Sequence, residues 1–248
     1  MSPESPPTLL AVLAHPDDEV LCAGTLLAQR AAGSRVVVLW LTRGEMTDAF
    51  GTLPTAEVAD RRMELGLRVA DCLDVEGRFL SFPDSSVQAT PEAGHEIARV
   101  IAEIKPSGLI TWGDAWARGF RHPDHQATGK IARDAVNFAR ITKVVAPEGS
   151  HRAFCPIFTL RGVHSGLPIV ALDVGEYAEA IFEVAEIYRR AIGFGAPEWL
   201  EGRLRSAGRR WDRDLVEEFD AWETGSGLVD QLLPHRDGPF HHHPERET

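Results

Sequence analysis

Cysteine is scarce in this chain. Only Cys22, Cys72 and Cys155 occur among 248 residues, far apart and with no Cys-x-x-Cys pair. An odd, scattered set argues against a disulfide framework, and each thiol reads as a small buried apolar side chain. Basic runs are missing too: Lys and Arg number 26 against 37 Asp and Glu, for a formal net charge of −11. A nucleic-acid-binding face needs clustered positive charge, so no nucleic-acid partner is expected. No uninterrupted apolar stretch approaches the ~20 residues of a membrane span, so no stable membrane insertion is expected either. The opening "MSPESPPTLL" has neither a basic start nor a long apolar segment, and a secretory leader is not expected. These absences predict a cytoplasmic protein acting on a small or neutral molecule, and they leave homo-oligomerisation open.

Hydrophobic residues make up 44% of the chain, enough for one substantial core. "TLLAVLA" (8–14) is a nearly continuous apolar run, as expected of a strand covered on both faces. Residues from about Asp18 to Ala32 read as a helix stopped by Gly33, and "SRVVVLWLT" reads as the next strand, completing a βαβ unit. The same reading gives helices at "AEVADRRMELGLRVADCL" and "PEAGHEIARVIAEIK" and strands at "RFLSF" and "GLITW". "RGEMTDAFGTLPT" and "GDAWARGFRHPDH" read as loops, the second followed by a helix at "QATGKIARDAVNFAR". "CPIFTL" and "LPIVALDV" are strand-like, and "EYAEAIFEVAEIYRRAIGF" and "RSAGRRWDRDLVEEFDAWE" read as two amphipathic helices. The predicted architecture is α/β: a Rossmann-like open, mainly parallel sheet with helices on both faces, C-terminal strands and helices completing the pocket. It forms a single domain over 1–248, with flexible tails at 1–7 and about 235–248.

In such sheets functional groups gather beyond the carboxyl ends of the strands. "LLAVLAHPDDEVL" places His15, Asp17, Asp18 and Glu19 at such an end. The Gly-x-Gly-x-x-Gly phosphate loop of a dinucleotide fold is absent there, and clustered carboxylates repel a phosphate but attract a cation. His15 and Asp18, at i and i+3, can face one point. Two ligands are too few for a catalytic zinc, which takes three protein ligands and keeps a place for water. "RHPDHQATG", at another strand exit, supplies His122 and His125. One His-Pro-Asp is an ordinary turn. Two of them at adjacent strand ends can converge on one ion with His, Asp and His as ligands.

The motifs "AHPDDE", "LTRGE", "RRMEL", "FPDSS" and "HPDHQAT", in that order from about residue 8 to 140, resemble those of the PIG-L/LmbE-like zinc-dependent deacetylases. The resemblance implies a hydrolase that removes the acetyl group from an N-acetylglucosamine-type conjugate, a small amino-sugar substrate, through attack of zinc-activated water on the amide. It implies His15, Asp18 and His125 as metal ligands, for Zn2+ or for Fe2+ or Co2+, which the same donor set accepts. It implies Asp17 as general base and His122 as acid or stabiliser of the tetrahedral intermediate. Arg61 resembles a substrate-facing arginine, with Arg62 competing for that role, and Asp124 a group that orients an imidazole. Asp84 falls near the same edge in a supporting role, and Glu19 suits the dipole of the helix start. Trp112 and Trp116 either stack on a sugar or pack their loop. The chain departs from the family in "EYAEAIFEVAEIYRRA", which leaves the rest of the substrate open. An amidase for a larger N-acyl or thiol-conjugate amide is the enzymatic alternative. A metal-binding sensor or structural protein is the non-enzymatic one, although merely holding a metal needs neither Asp17 nor His122.

Overall fold

Apolar continuity puts β1 (Thr8–Leu13) at the centre of the sheet, where Leu9 to Leu13 have no exposed surface. The computed structural model describes residues 6–117 and 121–234. After β1 come α1 (Ala23–Ala31), β2 (Arg35–Trp40), α2 (Thr55–Cys72), β3 (Glu76–Phe79), α3 (Pro91–Ile104), β4 (Gly108–Trp112) and α4 (Pro123–Phe138). A one-turn α5 (Thr142–Val145) leads to β5 (Ile157–Leu160) and β6 (Ile169–Asp173). The chain continues through α6 (Ala178–Ile192), α7 (Pro197–Trp211), β7 (Val216–Ala221) and β8 (Gly227–Val229). The strands form one eight-stranded sheet in the order β3-β2-β1-β4-β5-β7-β6-β8. β1 to β5 are mutually parallel, whereas β7 runs antiparallel to both β5 and β6.

Alternation along β1 divides the core. Leu9, Ala11 and Leu13 pack with Leu26 of α1, Val69 of α2, Val184 of α6 and Leu204 of α7. Leu10 and Val12 face the other way, against Ile97 and Ile101 of α3 and Ile131 of α4. Each such aliphatic side chain contributes about 1.5–3 kcal/mol by leaving water. The predicted open, mainly parallel sheet with helices on both faces is the observed fold. Among the described residues no helix is long and apolar enough to cross a membrane.

Several local expectations need correction. The single helix expected from Asp18 to Ala32 is a 3-10 turn at Asp18–Leu21 followed by α1. "RSAGRRWDRDLVEEFDAWE" is not one helix: α7 ends at Trp211, Asp212 takes the left-handed conformation, and β7 follows. All of β7 is buried, acids included, because each acid has a partner. Glu217 accepts the Gly24 and Thr25 N–H groups, Glu218 is bound by Arg210 and Trp211, and Asp220 by Arg161. Helix α4 begins at Pro123, so the second His-Pro-Asp motif enters its first turn instead of preceding it. Cys22 and Cys155 are buried as expected, but Cys72 is exposed. Leu232 and Leu233, next to the expected tail, are buried, and Leu233 exchanges hydrogen bonds with Gln29. Residues 1–5 and 235–248 of the expected tails lie outside the described residues.

Candidate active site

β2 and β3 lie on one side of β1, β4 and β5 on the other, so the winding reverses between β1 and β4. Beyond the carboxyl ends of such a strand pair a crevice opens. Here it is a cavity of about 290 Å³ that exposes His15, Asp17, Asp18, His122 and His125 together.

The first motif is held under backbone strain. Asp17 has φ 141° and ψ −17°, a conformation that costs a non-glycine residue about 1–3 kcal/mol. The Asp17 N–H donates to Glu19 Oε2 at 3.1 Å, and its Oδ2 accepts from Arg62 Nη2 at 2.8 Å. The same Arg62 nitrogen also donates to the Pro16 carbonyl. Glu19 is fully buried and accepts from Trp40 Nε1 at 2.9 Å and from the Tyr188 hydroxyl. Glu19 therefore turns inward and holds the Asp17 backbone, in keeping with the structural role its place at the helix start suggests. Asp18 Oδ2 accepts the Ala14 and His15 N–H groups at 2.9 and 3.0 Å, which leaves Oδ1 to meet His125 Nε2 at 3.1 Å.

The second motif uses its proline as the first residue of α4. His122 caps that helix through Nδ1, which accepts the Asp124 N–H at 3.2 Å. The neutral ring thus carries its proton on Nε2. His125 stacks on Trp112 with centroids 3.8 Å apart, and its Nδ1 is buried without a hydrogen-bond partner among the described residues. Trp116 meets Trp112 edge-on and donates to the Leu160 carbonyl. Both tryptophans therefore pack against His125 instead of lining the cavity. Asp124, fully buried, accepts the Ser85 and Val87 N–H groups and contacts His15 Nε2 at 3.1 Å. Asp84 Oδ1 stands 3.2 Å from the same nitrogen, and its Oδ2 accepts the Met46 N–H.

The structure brings His15, Asp17, Asp18, Asp84, His122, Asp124 and His125 together. It leaves Arg61 outside, exposed and paired with Glu57. Arg62, 2% exposed, is the arginine of the cavity. A signal for this existed: Val58, Gly66, Val69 and Ala70 lie on the buried side of α2, and helical spacing carries that stripe through position 62. Gly44, with φ +69°, makes room for Arg62, since a Cβ there would lie 2.7 Å from Nε. Met46, Thr47, Ser85, Ile192 and Phe194, which sequence reasoning did not single out, line the remainder of the cavity.

Electrostatics separates the two neighbouring aspartates. Burial pushes the Asp17 carboxyl up to about 6 against the pull of Arg62. For Asp18, burial also acts upward, but His125 and His15 outweigh it and hold the group low. Burial opposes charge on His15, yet Asp124, Asp84 and Asp18 raise it to about 10. His122 is lowered by burial and by the neighbouring His15 and His125. Among the described residues, two sets of donor atoms each lie within 4.8 Å of one another: His15, His122 and His125, and His15, Asp84 and Asp124. The first set is all imidazole and the second mixes imidazole with carboxylate, donors that suit a divalent transition metal; Asp18, expected as a ligand, belongs to neither set and instead meets His125 directly.

The family model described as PIG-L, GlcNAc-PI de-N-acetylase, matches residues 10–136. The diacetylchitobiose deacetylase of Thermococcus kodakarensis is 35% identical over 133 residues, covering 53% of this chain and 49% of that protein. A probable N-acetyl-alpha-D-glucosaminyl L-malate deacetylase 2 of Bacillus anthracis is 30% identical over 190 residues, covering 73% and 79%. The chain thus spans about half the length of the first of these relatives and most of the second. The solved N,N'-diacetylchitobiose deacetylase of Pyrococcus horikoshii shares the fold, with a TM-score of 0.77 at 20% identity over 87% of this chain and 83% of that one.

Proposed function

The chain belongs to the PIG-L family, and from that premise we propose that it is a zinc-dependent N-deacetylase acting on an N-acetylglucosamine-type conjugate. The observation that carries the reading is the separation of tasks between adjacent acids. Asp18 faces His125, whereas Asp17 is turned from it by a strained backbone and held by Arg62. A site that only held metal would have no need of that second, separately anchored carboxylate.

The residues present fit a metal. Imidazole nitrogens and carboxylate oxygens converge, and His125 Nδ1 is a buried polar atom without a hydrogen-bond partner among the described residues. His15, Asp18 and His125 would hold the ion, with Asp124 and Asp84 orienting His15. When bound, zinc would supply Lewis acidity toward the amide carbonyl and toward water. Asp17 receives the proton from the attacking water; a carboxyl near 6 is basic enough to accept it and acidic enough to release it to the departing amine. Neutral His122 presents its Nε2–H to the carbonyl oxygen, where negative charge develops. It therefore acts as a hydrogen-bond donor, without needing to be protonated twice. Met46 and Phe194, 56% and 43% exposed, stand with Ile192 at the mouth and offer an apolar surface to the part of the conjugate beyond the amino sugar.

The test combines metal analysis of the purified protein with an amine-release screen over N-acetylglucosamine conjugates. Acetate release that disappears in Asp17→Asn, with metal content kept, supports the reading. Full activity of Asp17→Asn would remove Asp17 as the base. Turnover of larger N-acyl amides without any acetyl release would favour the amidase instead.

A further inference from the structure

A second cavity, of about 440 Å³, opens beside β7 and shares no lining residue with the first. Its origin is topological. β5 stops at Leu160, opposite Phe219, while β7 begins three residues earlier, at Val216. The β7 edge from Val216 to Glu218 therefore has no strand beside it on that side. Helix α7 and the turn after β5 enclose the gap.

Three arginines line the space, and two already have partners. Arg161 pairs with Asp220, and Arg210 with Glu218. Arg203, only partly exposed, has no hydrogen-bond or short ion-pair partner among the described residues. The carboxylates that influence it, Glu217 and Glu218, are engaged elsewhere. Both Glu217 oxygens accept backbone N–H groups, from Gly24 at 2.9 Å and Thr25 at 2.8 Å. Glu218 is bound by Arg210 and by Trp211 Nε1. A guanidinium keeps its charge and carries five donors, and Arg203, half-buried at the cavity with no carboxylate hydrogen-bonded to it among the described residues, presents them to whatever anion enters. Beside it lies an apolar floor that includes Leu21, Leu204 and Val216.

We propose that this cavity binds a small organic carboxylate, with its charged end on Arg203 and its hydrocarbon body on Leu21, Leu204 and Val216. The volume is that of a small-molecule site and exceeds what a bare inorganic ion fills. The neighbouring glutamates disfavour a multiply charged phosphate and leave a monoanion as the matching class. The inference does not depend on the reaction at the other cavity.

Isothermal titration of the full-length protein with hexanoate and with its neutral analogue hexanamide tests it. Hexanoate binds once per chain, and hexanamide binds about tenfold more weakly or worse, because it lacks the charge-assisted contact. In Arg203→Met the affinity for hexanoate falls to that for hexanamide. The ligand-free variant melts close to the wild-type temperature, since Arg203 makes no hydrogen bond to another described residue. If Arg203→Met does not fold, Arg203→Gln carries the same comparison. Three results would overturn the proposal: no hexanoate binding at millimolar concentration, equal hexanoate affinity with and without Arg203, or equal affinities for acid and amide.

Discussion

Replacing Arg62 by Met probes the proton-transfer role proposed for Asp17. The pair is close and shielded, at 2.8 Å with side-chain exposures of 3% and 15%. Burial raises Asp17 to about 6, and Arg62 is the largest influence in the opposite direction. Breaking a buried ion pair costs about 3–5 kcal/mol, and at about 1.4 kcal/mol per tenfold this moves the Asp17 pKa up by about 2 or more. A base must be deprotonated, so the acidic limb of kcat/KM against pH shifts upward by the same amount. Activity at neutral pH then falls about tenfold or more and recovers as the pH is raised. Loss of the contact to the Pro16 carbonyl also lowers the plateau, because the strained Asp17 backbone loses a restraint. The assay is amine release across the pH range, with metal content and thermal melting measured alongside. Arg61→Met is the control: its exposed pair with Glu57 is worth about 0.5 kcal/mol or less, and the pH profile stays in place. An Arg62→Met protein that is folded and metal-loaded, with an unmoved acidic limb, would refute the coupling of Arg62 to Asp17.

Under the proposed ligand set His125→Ala removes a metal donor, and metal measured by atomic emission falls well below one per chain; retention of a full equivalent would contradict that set. Glu217 titrates in the folded protein near 7, above its ordinary 4.5, because burial outweighs the Thr25 and Gly24 hydrogen bonds. A raised carboxyl gives stability that is fully present below 4.5 and lost as the pH climbs through 7, a change of about 3 kcal/mol. Urea unfolding of Glu217→Gln should lack this decline between acidic and neutral pH. Phe194→Ala, at the mouth of the cavity, raises KM for an N-acetylglucosamine conjugate with kcat nearly unchanged; a loss confined to kcat would place Phe194 at the reacting atoms instead.

Much of the sheet was legible because its central strands are buried on both faces. Residues 9–13 and 36–41 are apolar almost without break, and only a covered parallel strand needs that pattern. β7 was hidden for the opposite reason. Glu217, Glu218 and Asp220 look like a solvated helix face, and nothing local announces that helix α1 and three arginine and tryptophan side chains neutralise them. The choice between Arg61 and Arg62 was a matter of one helical step, about 100° of rotation, and the buried stripe of α2 resolved it.

The sequence by itself determined the alternation of strands and helices, the two His-Pro-Asp turns and the residue types gathered at the sheet edge, because periodicity and residue type are local properties. It placed His15 and Asp18 one helical turn apart and named His122 and His125 as their distant complements. Tertiary structure alone decided which nitrogen meets which carboxylate and which arginine enters the cavity. It alone turned Glu19 inward to hold Asp17 and left Arg203 without a hydrogen-bonded carboxylate among the described residues. Those outcomes depend on strands paired across roughly a hundred residues of chain, where the spacing between neighbours carries no information about contact.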